Sequence, residues 1–71
     1  MKFNDIIRAA MKATGTNQTQ LGERLGVRQT AISNTVLRPE TKLGTFVSIM
    51  NALGYEIVVR KDGEEMVLTN E

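Results

Sequence analysis

Two glycines, Gly22 and Gly26, constrain this chain more than any other feature of it. They stand among Leu21, Leu25, Val27 and Ile32, with little length left between for anything but one tight turn. Gly26 suits the left-handed position that ends a helix, and Gly22 removes a side chain where two helices cross closely. Leu21, Leu25, Val27 and Ile32 then lock a second helix at a steep angle to the first. Upstream, Asn17 is a natural N-cap, and Gln20 is placed to reach back to the Asn17 amide. The segment predicts a helix beginning at Asn17 and ending near Leu25, a break at Gly26, and a short helix over 29–36.

The flanks keep the helical period. Ile6, Ile7, Ala10 and Met11 share one face, with Asn4 before them and Gly15 after, which predicts a first helix over 5–14. Ile32 and Val36 mark the inner side of the third helix. Arg38-Pro39 closes it, because the residue before a proline is pushed out of helical backbone angles. Thr41 is the expected N-cap of a fourth helix, whose stripe of Leu43, Phe46, Val47, Met50 and Leu53 runs to Gly54. Met11, Met50 and Met66 all fall on apolar faces and are expected to pack.

Beyond Gly54 the period changes. Tyr55, Ile57 and Val59 alternate with Glu56 and Arg60, and Asp62-Gly63 offers the type I′ turn of a two-residue hairpin. Counting outward from that turn sets Lys61 opposite Glu64, Arg60 opposite Glu65, Val59 opposite Met66, Val58 opposite Val67 and Ile57 opposite Leu68. One register thus yields charge pairs at the tip and apolar pairs at the base. Tyr55, Ile57, Val59, Met66 and Leu68 form the face expected to pack on the helices, leaving Val58 and Val67 on the other. A lone ribbon would keep two unpaired edges and a wet apolar pair, so a second copy is expected to cover it through Ile57, Val58, Val59 and Val67.

Composition narrows the function. Among 71 residues there is no Cys and no His, which excludes disulfides, thiolate or imidazole metal sites and a His-activated nucleophile. Carboxylates and lysines are present, but none are spaced as the two sides of a catalytic pocket, so neither an enzyme nor a cofactor is expected. A chain this short buries only about 60% of its unfolded surface, and oligomerisation is the reinforcement left to it. No apolar run approaches the roughly 18 residues of a membrane span. Asp5, Arg8 and Lys12 interrupt the N-terminal stretch as no signal peptide would allow, so a cytoplasmic location is expected. The net charge of +1 hides a division: residues 1–54 hold seven basic and three acidic residues, and 55–71 hold two and five. Those parts carry +4 and −3, a split that suits a first part approaching a polyanion. Arg8 and Lys12 themselves read as a solvated helix face.

The run Asn17-Gln18-Thr19-Gln20-Leu21-Gly22-Glu23-Arg24-Leu25-Gly26-Val27-Arg28-Gln29-Thr30-Ala31-Ile32-Ser33, with one helix before it and one after, resembles the lambda-repressor and Cro-like helix-turn-helix family over most of residues 5–54. The expected fold is mainly α. A four-helix lambda-repressor-like domain over 1–54 is followed by a C-terminal β-hairpin over 55–71 that serves as the dimerisation element. The resemblance implies a homodimer that binds double-stranded DNA with the third helix in the major groove, and hence a repressor-like regulator of transcription.

Within that geometry, the start and outer face of the third helix carry Gln29, Thr30, Ser33 and Asn34, the candidate base readers. Gln and Asn amides donate and accept together against adenine, Thr offers thymine a methyl group, and a Ser hydroxyl does either. Gln29 stands at the matched position where relatives read a base. Asn17 and Gln18, at the start of the second helix, and Arg38, Thr41 and Lys42, after the third, are the candidate phosphate contacts. Arg28 replaces the usual Ser or Thr, weakening the N-cap but putting a guanidinium beside the groove for phosphate or guanine. The chain departs from the family at Thr35, where an apolar residue is usual, and at Val36-Leu37-Arg38, which replaces a commoner Glu-x-Gly.

The run from Gly26 to Asn34, followed by a Pro-containing loop, a helix and a strand, also looks like the antitoxins that partner kinase-type toxins. Those pair C-terminal strands across a dimer. This likeness implies the alternative of an antitoxin that binds a protein toxin and autoregulates its operon, with Glu64, Glu65 and Glu71 facing a basic partner.

Overall fold

A computed structural model describes residues 1–38 and 41–69. In chain order these form α1 (Phe3–Thr14), α2 (Gln18–Leu25), α3 (Gln29–Leu37), α4 (Leu43–Ala52), β1 (Ile57–Lys61) and β2 (Glu64–Leu68). The chain is mainly helical and ends in an antiparallel two-stranded hairpin, as its periodicity predicts.

The helix ends show why these residues form these elements. α1 starts earlier than its apolar period predicts, and Asn4 lies inside its first turn instead of preceding it. Lys2 is the cap, its backbone N–H donating to Asp5 Oδ2 at 3.2 Å, and the Phe3 ring stacks on Phe46 with centroids 4.5 Å apart. α2 carries the expected capping box, with Gln20 N–H donating to Asn17 Oδ1 at 2.8 Å and Asn17 N–H to Gln20 Oε1 at 3.0 Å. It ends on Gly26 at φ 70°.

α4 departs from expectation in two ways. Its cap is Lys42, not Thr41, because the first intrahelical bond runs from Phe46 N–H to the Lys42 carbonyl at 3.0 Å. Leu43 is 52% exposed, while Ile49 is buried at 2%. A helix packed against both α1 and α2 buries more than a single stripe, so Phe46, Val47, Ile49 and Met50 all turn inward. Pro39, expected to close α3, lies outside the described residues, as does Glu71 at the acidic end.

One core joins the four helices. Ile7 and Ala10 of α1, Leu21 of α2, Ile32 and Val36 of α3, and Phe46, Ile49 and Met50 of α4 pack together with Leu53.

In the hairpin all five cross-strand pairs fall in the predicted register. Asp62 at φ 49° and Gly63 at φ 84° have the positive angles that a type I′ turn requires. Its packing corrects the sequence reading. Ile57 rests on the helical core and Leu68 is half-buried, but Tyr55 is exposed, Val59 is 52% exposed and Met66 is 65% exposed. The expectations that this whole face packs on the helices, and that Met66 packs with it, therefore fail. The molecule measures 39 × 22 × 21 Å, and most of the ribbon has no helix beneath it.

Candidate nucleic-acid interface

The α2–α3 junction is a contact between backbones. Gly22 is buried, its carbonyl accepts the Val27 N–H at 2.9 Å, and a Cβ added to it would stand 2.9 Å from the Val27 oxygen. Any side chain at Gly22 would force the turn apart. Leu21 and Ile32 are buried beneath this contact and Leu25 is half-buried. Val27 differs from expectation: it is 44% exposed and lies outside the buried core, and its backbone N–H fastens the turn to Gly22.

α3, seated in this way, turns Ile32 and Val36 inward. Gln29, Thr30 and Asn34 are exposed and Ser33 is half-buried. The helix carries no charged side chain, and the exposed arginines Arg28 and Arg38 stand at its two ends. Arg28 is the N-cap residue and makes no side-chain capping bond, which leaves its guanidinium to the surroundings. Thr35, at the position that departs from the family, satisfies its hydroxyl by donating to the Ala31 carbonyl at 3.0 Å.

Gln29 Nε2 donates to Gln18 Oε1 at 2.7 Å. This bond ties the start of α3 to the start of α2 and turns the Gln29 amide nitrogen toward Gln18. Gln29 keeps a second N–H and its Oε1, a donor and an acceptor on one exposed amide, the group types that contact an adenine edge. Gln18, expected at a phosphate, thus holds the neighbouring amide in place. Asn17 commits its Oδ1 to the α2 cap.

At the other end of α3, Asn34, Thr35, Arg38, Thr41, Lys42 and Thr45 line an open groove of about 610 Å³. The groove brings Asn34 together with three of the expected phosphate contacts, Arg38, Thr41 and Lys42. It is rich in hydroxyls and carries two cations, a surface suited to phosphate oxygens. With about 1.5 Å of rise per residue, Gln29 and Asn34 stand roughly 7.5 Å apart along α3.

Sequence reasoning missed two arginines. Arg8, read as a solvated face, donates from Nη2 to the Val36 carbonyl at 2.8 Å. Arg24 donates from Nη1 to the Ala52 carbonyl at 3.3 Å and to Thr16 Oγ1 at 3.5 Å. Each carbonyl lies 28 residues further along the chain than its arginine, beyond the reach of any local pattern. On the groove wall, Thr45 is unmarked in the sequence reading and Thr35 is marked there only as a departure from the family. Of the residues expected to dimerise, Val58, Val59 and Val67 are exposed, whereas Ile57 packs against the chain's own helical core.

Compared with known proteins, the chain matches no family model, no curated protein and no solved structure.

Proposed function

We propose that this chain is a sequence-specific double-stranded-DNA-binding regulator of transcription of the lambda-repressor and Cro-like kind, acting as a homodimer with α3 in the major groove. The observation that carries this reading is the outward face of α3. Uncharged amides and hydroxyls stand exposed on a helix seated by the Gly22–Val27 contact and bracketed by Arg28 and Arg38. In this reading Gln29, Thr30, Ser33 and Asn34 meet base edges, while Asn17, Gln18, Arg28, Arg38, Thr41 and Lys42 meet the backbone. Exposed Val58, Val59 and Val67 on the ribbon join two copies, so that the two α3 helices enter successive major grooves about 34 Å apart. Repression follows by occlusion of a promoter. No helix of the described residues is long and apolar enough to cross a membrane, and this reading places the chain with DNA in the cytoplasm.

Selection of bound duplexes from random DNA, together with a mass measurement in solution, tests the proposal. The expected result is a palindromic consensus with half-sites one helical turn apart, a two-chain mass, and affinity that falls with salt as counterions are released. Gln29→Ala relaxes the preference at one base position. Lys42→Ala weakens all sequences alike and lowers the salt slope by about one. Parent-like binding by both variants overturns this division of roles.

The projecting ribbon favours a second reading. Its exposed Val59, Met66 and Val67 lie in a part of the chain with net negative charge, which fits an antitoxin that holds a basic protein toxin. A stoichiometric protein partner in co-purification from the native host selects this reading, and its absence removes it.

A further inference from the structure

The arginine that reaches α3 from α1 does more than stabilise the fold. α1 and α2 end on left-handed glycines, and the closing bonds satisfy two carbonyls in the last turn of each, Met11 and Lys12 in α1 and Gly22 and Glu23 in α2. Among the described residues α3 has no such ending: its C-cap Arg38 is extended, and its N–H donates to the Thr35 carbonyl at 3.3 Å. At its start, Arg28 makes no side-chain cap. Side chains from other helices reach both ends of α3, Gln18 holding Gln29 at the first turn and Arg8 holding the Val36 carbonyl at the last. Arg8 is well placed for this, because its neighbour Ile7 is fully buried and fixes that stretch of α1.

We infer that Arg8 is a positioning residue for the C-terminal turn of α3, fixing where Asn34 and Arg38 stand at the groove; its bearing on DNA rests on the function proposed above. The two ends of α3 are then held independently. Loss of the Arg8 bond frays the last turn and displaces Asn34 and Arg38, while Gln29 stays on Gln18. Recognition is lost at one end of each half-site and kept at the other.

Arg24 supplies the control. It makes the same kind of bond, guanidinium to a C-terminal helix carbonyl, but on α4 at Ala52. Arg8→Met and Arg24→Met each remove one positive charge and one such bond, so a general loss of charge or stability affects both. Amide hydrogen exchange of the free proteins comes first. Arg8→Met is expected to speed exchange in the last turn of α3 by roughly tenfold relative to α1 and α4, whereas Arg24→Met leaves α3 as in the parent. Duplex selection comes second. The base positions that Asn34→Ala flattens are expected to lose roughly tenfold of their preference in Arg8→Met, and those that Gln29→Ala flattens to keep theirs.

Arg8→Lys keeps the charge and one donor and is expected to fall between parent and Arg8→Met in both readouts. It decides the matter if Arg8→Met does not fold: an increase confined to the last turn of α3 supports the inference, and a parent-like or uniform pattern overturns it. Uniform exchange in Arg8→Met, or equal loss at both ends of the half-site, also overturns it. If the parent selects no duplex at all, the DNA reading falls, and the exchange pattern alone decides whether Arg8 holds this turn.

Discussion

The helical body and the hairpin are specified in different ways. In the body, Ile7 and Leu21 are fully buried and every helix contributes side chains to one core. In the hairpin all five pairs are in register, yet only its base touches the body. Register and packing are therefore separate kinds of information. Register follows from turn chemistry and alternation, which act locally, whereas packing needs a surface to meet. The body supplies its own surfaces and the ribbon does not.

The sharpest test of this contrast is a cavity in the body. Leu21→Ala is expected to cost about 3 kcal/mol, lowering the thermal midpoint by about 15 °C in a domain of this size. Thermal unfolding followed by helical circular dichroism measures it. The next test moves to the ribbon. Val59→Thr with Val67→Thr is expected to leave the helical melt of the dilute protein within about 2 °C of the parent, since neither side chain rests on the helical core. The same pair is expected to shift the mass in solution from two chains to one. A melt lowered as far as that of Leu21→Ala would show that the ribbon belongs to the core after all and would break the contrast.

Much of this was legible in the sequence, for reasons that mark where legibility ends. The Asn17–Gln20 capping box, Gly26, and the Asp62-Gly63 turn are local devices, each acting within a few residues of itself. The exposure of Gln29 and Asn34 follows from period once Ile32 and Val36 are assigned inward. The misreadings are tertiary. Leu43 and Ile49 exchange roles because the buried width of α4 depends on which helices flank it. Val59 and Met66 have the right alternation but no helix beneath them. Arg8 reads as surface charge and Arg24 draws no reading at all, because their acceptors are carbonyls far along the chain, and a carbonyl leaves no mark in a sequence.

The smallest effects decide what sets the hairpin register. Arg60 and Glu65 face each other across the strands, Nη2 to Oε1 at 3.0 Å, with side chains 69% and 53% exposed. An ion pair so exposed is screened by water and salt and is worth between nothing and about 1 kcal/mol. The turn is worth more. Gly63 at φ 84° meets no neighbour within 4 Å where a Cβ would stand, so Gly63→Ala acts through backbone strain alone, and a loss of about 1 kcal/mol confined to the hairpin is expected. Glu65→Lys sets like charges opposite each other and is expected to cost a few tenths of a kcal/mol, shrinking further in high salt. Proton contacts between Val59 and Met66 in solution read the register directly. They are expected to survive Glu65→Lys at every ionic strength and to weaken in Gly63→Ala. The opposite ranking would mean that charge pairing sets the register and the turn merely follows.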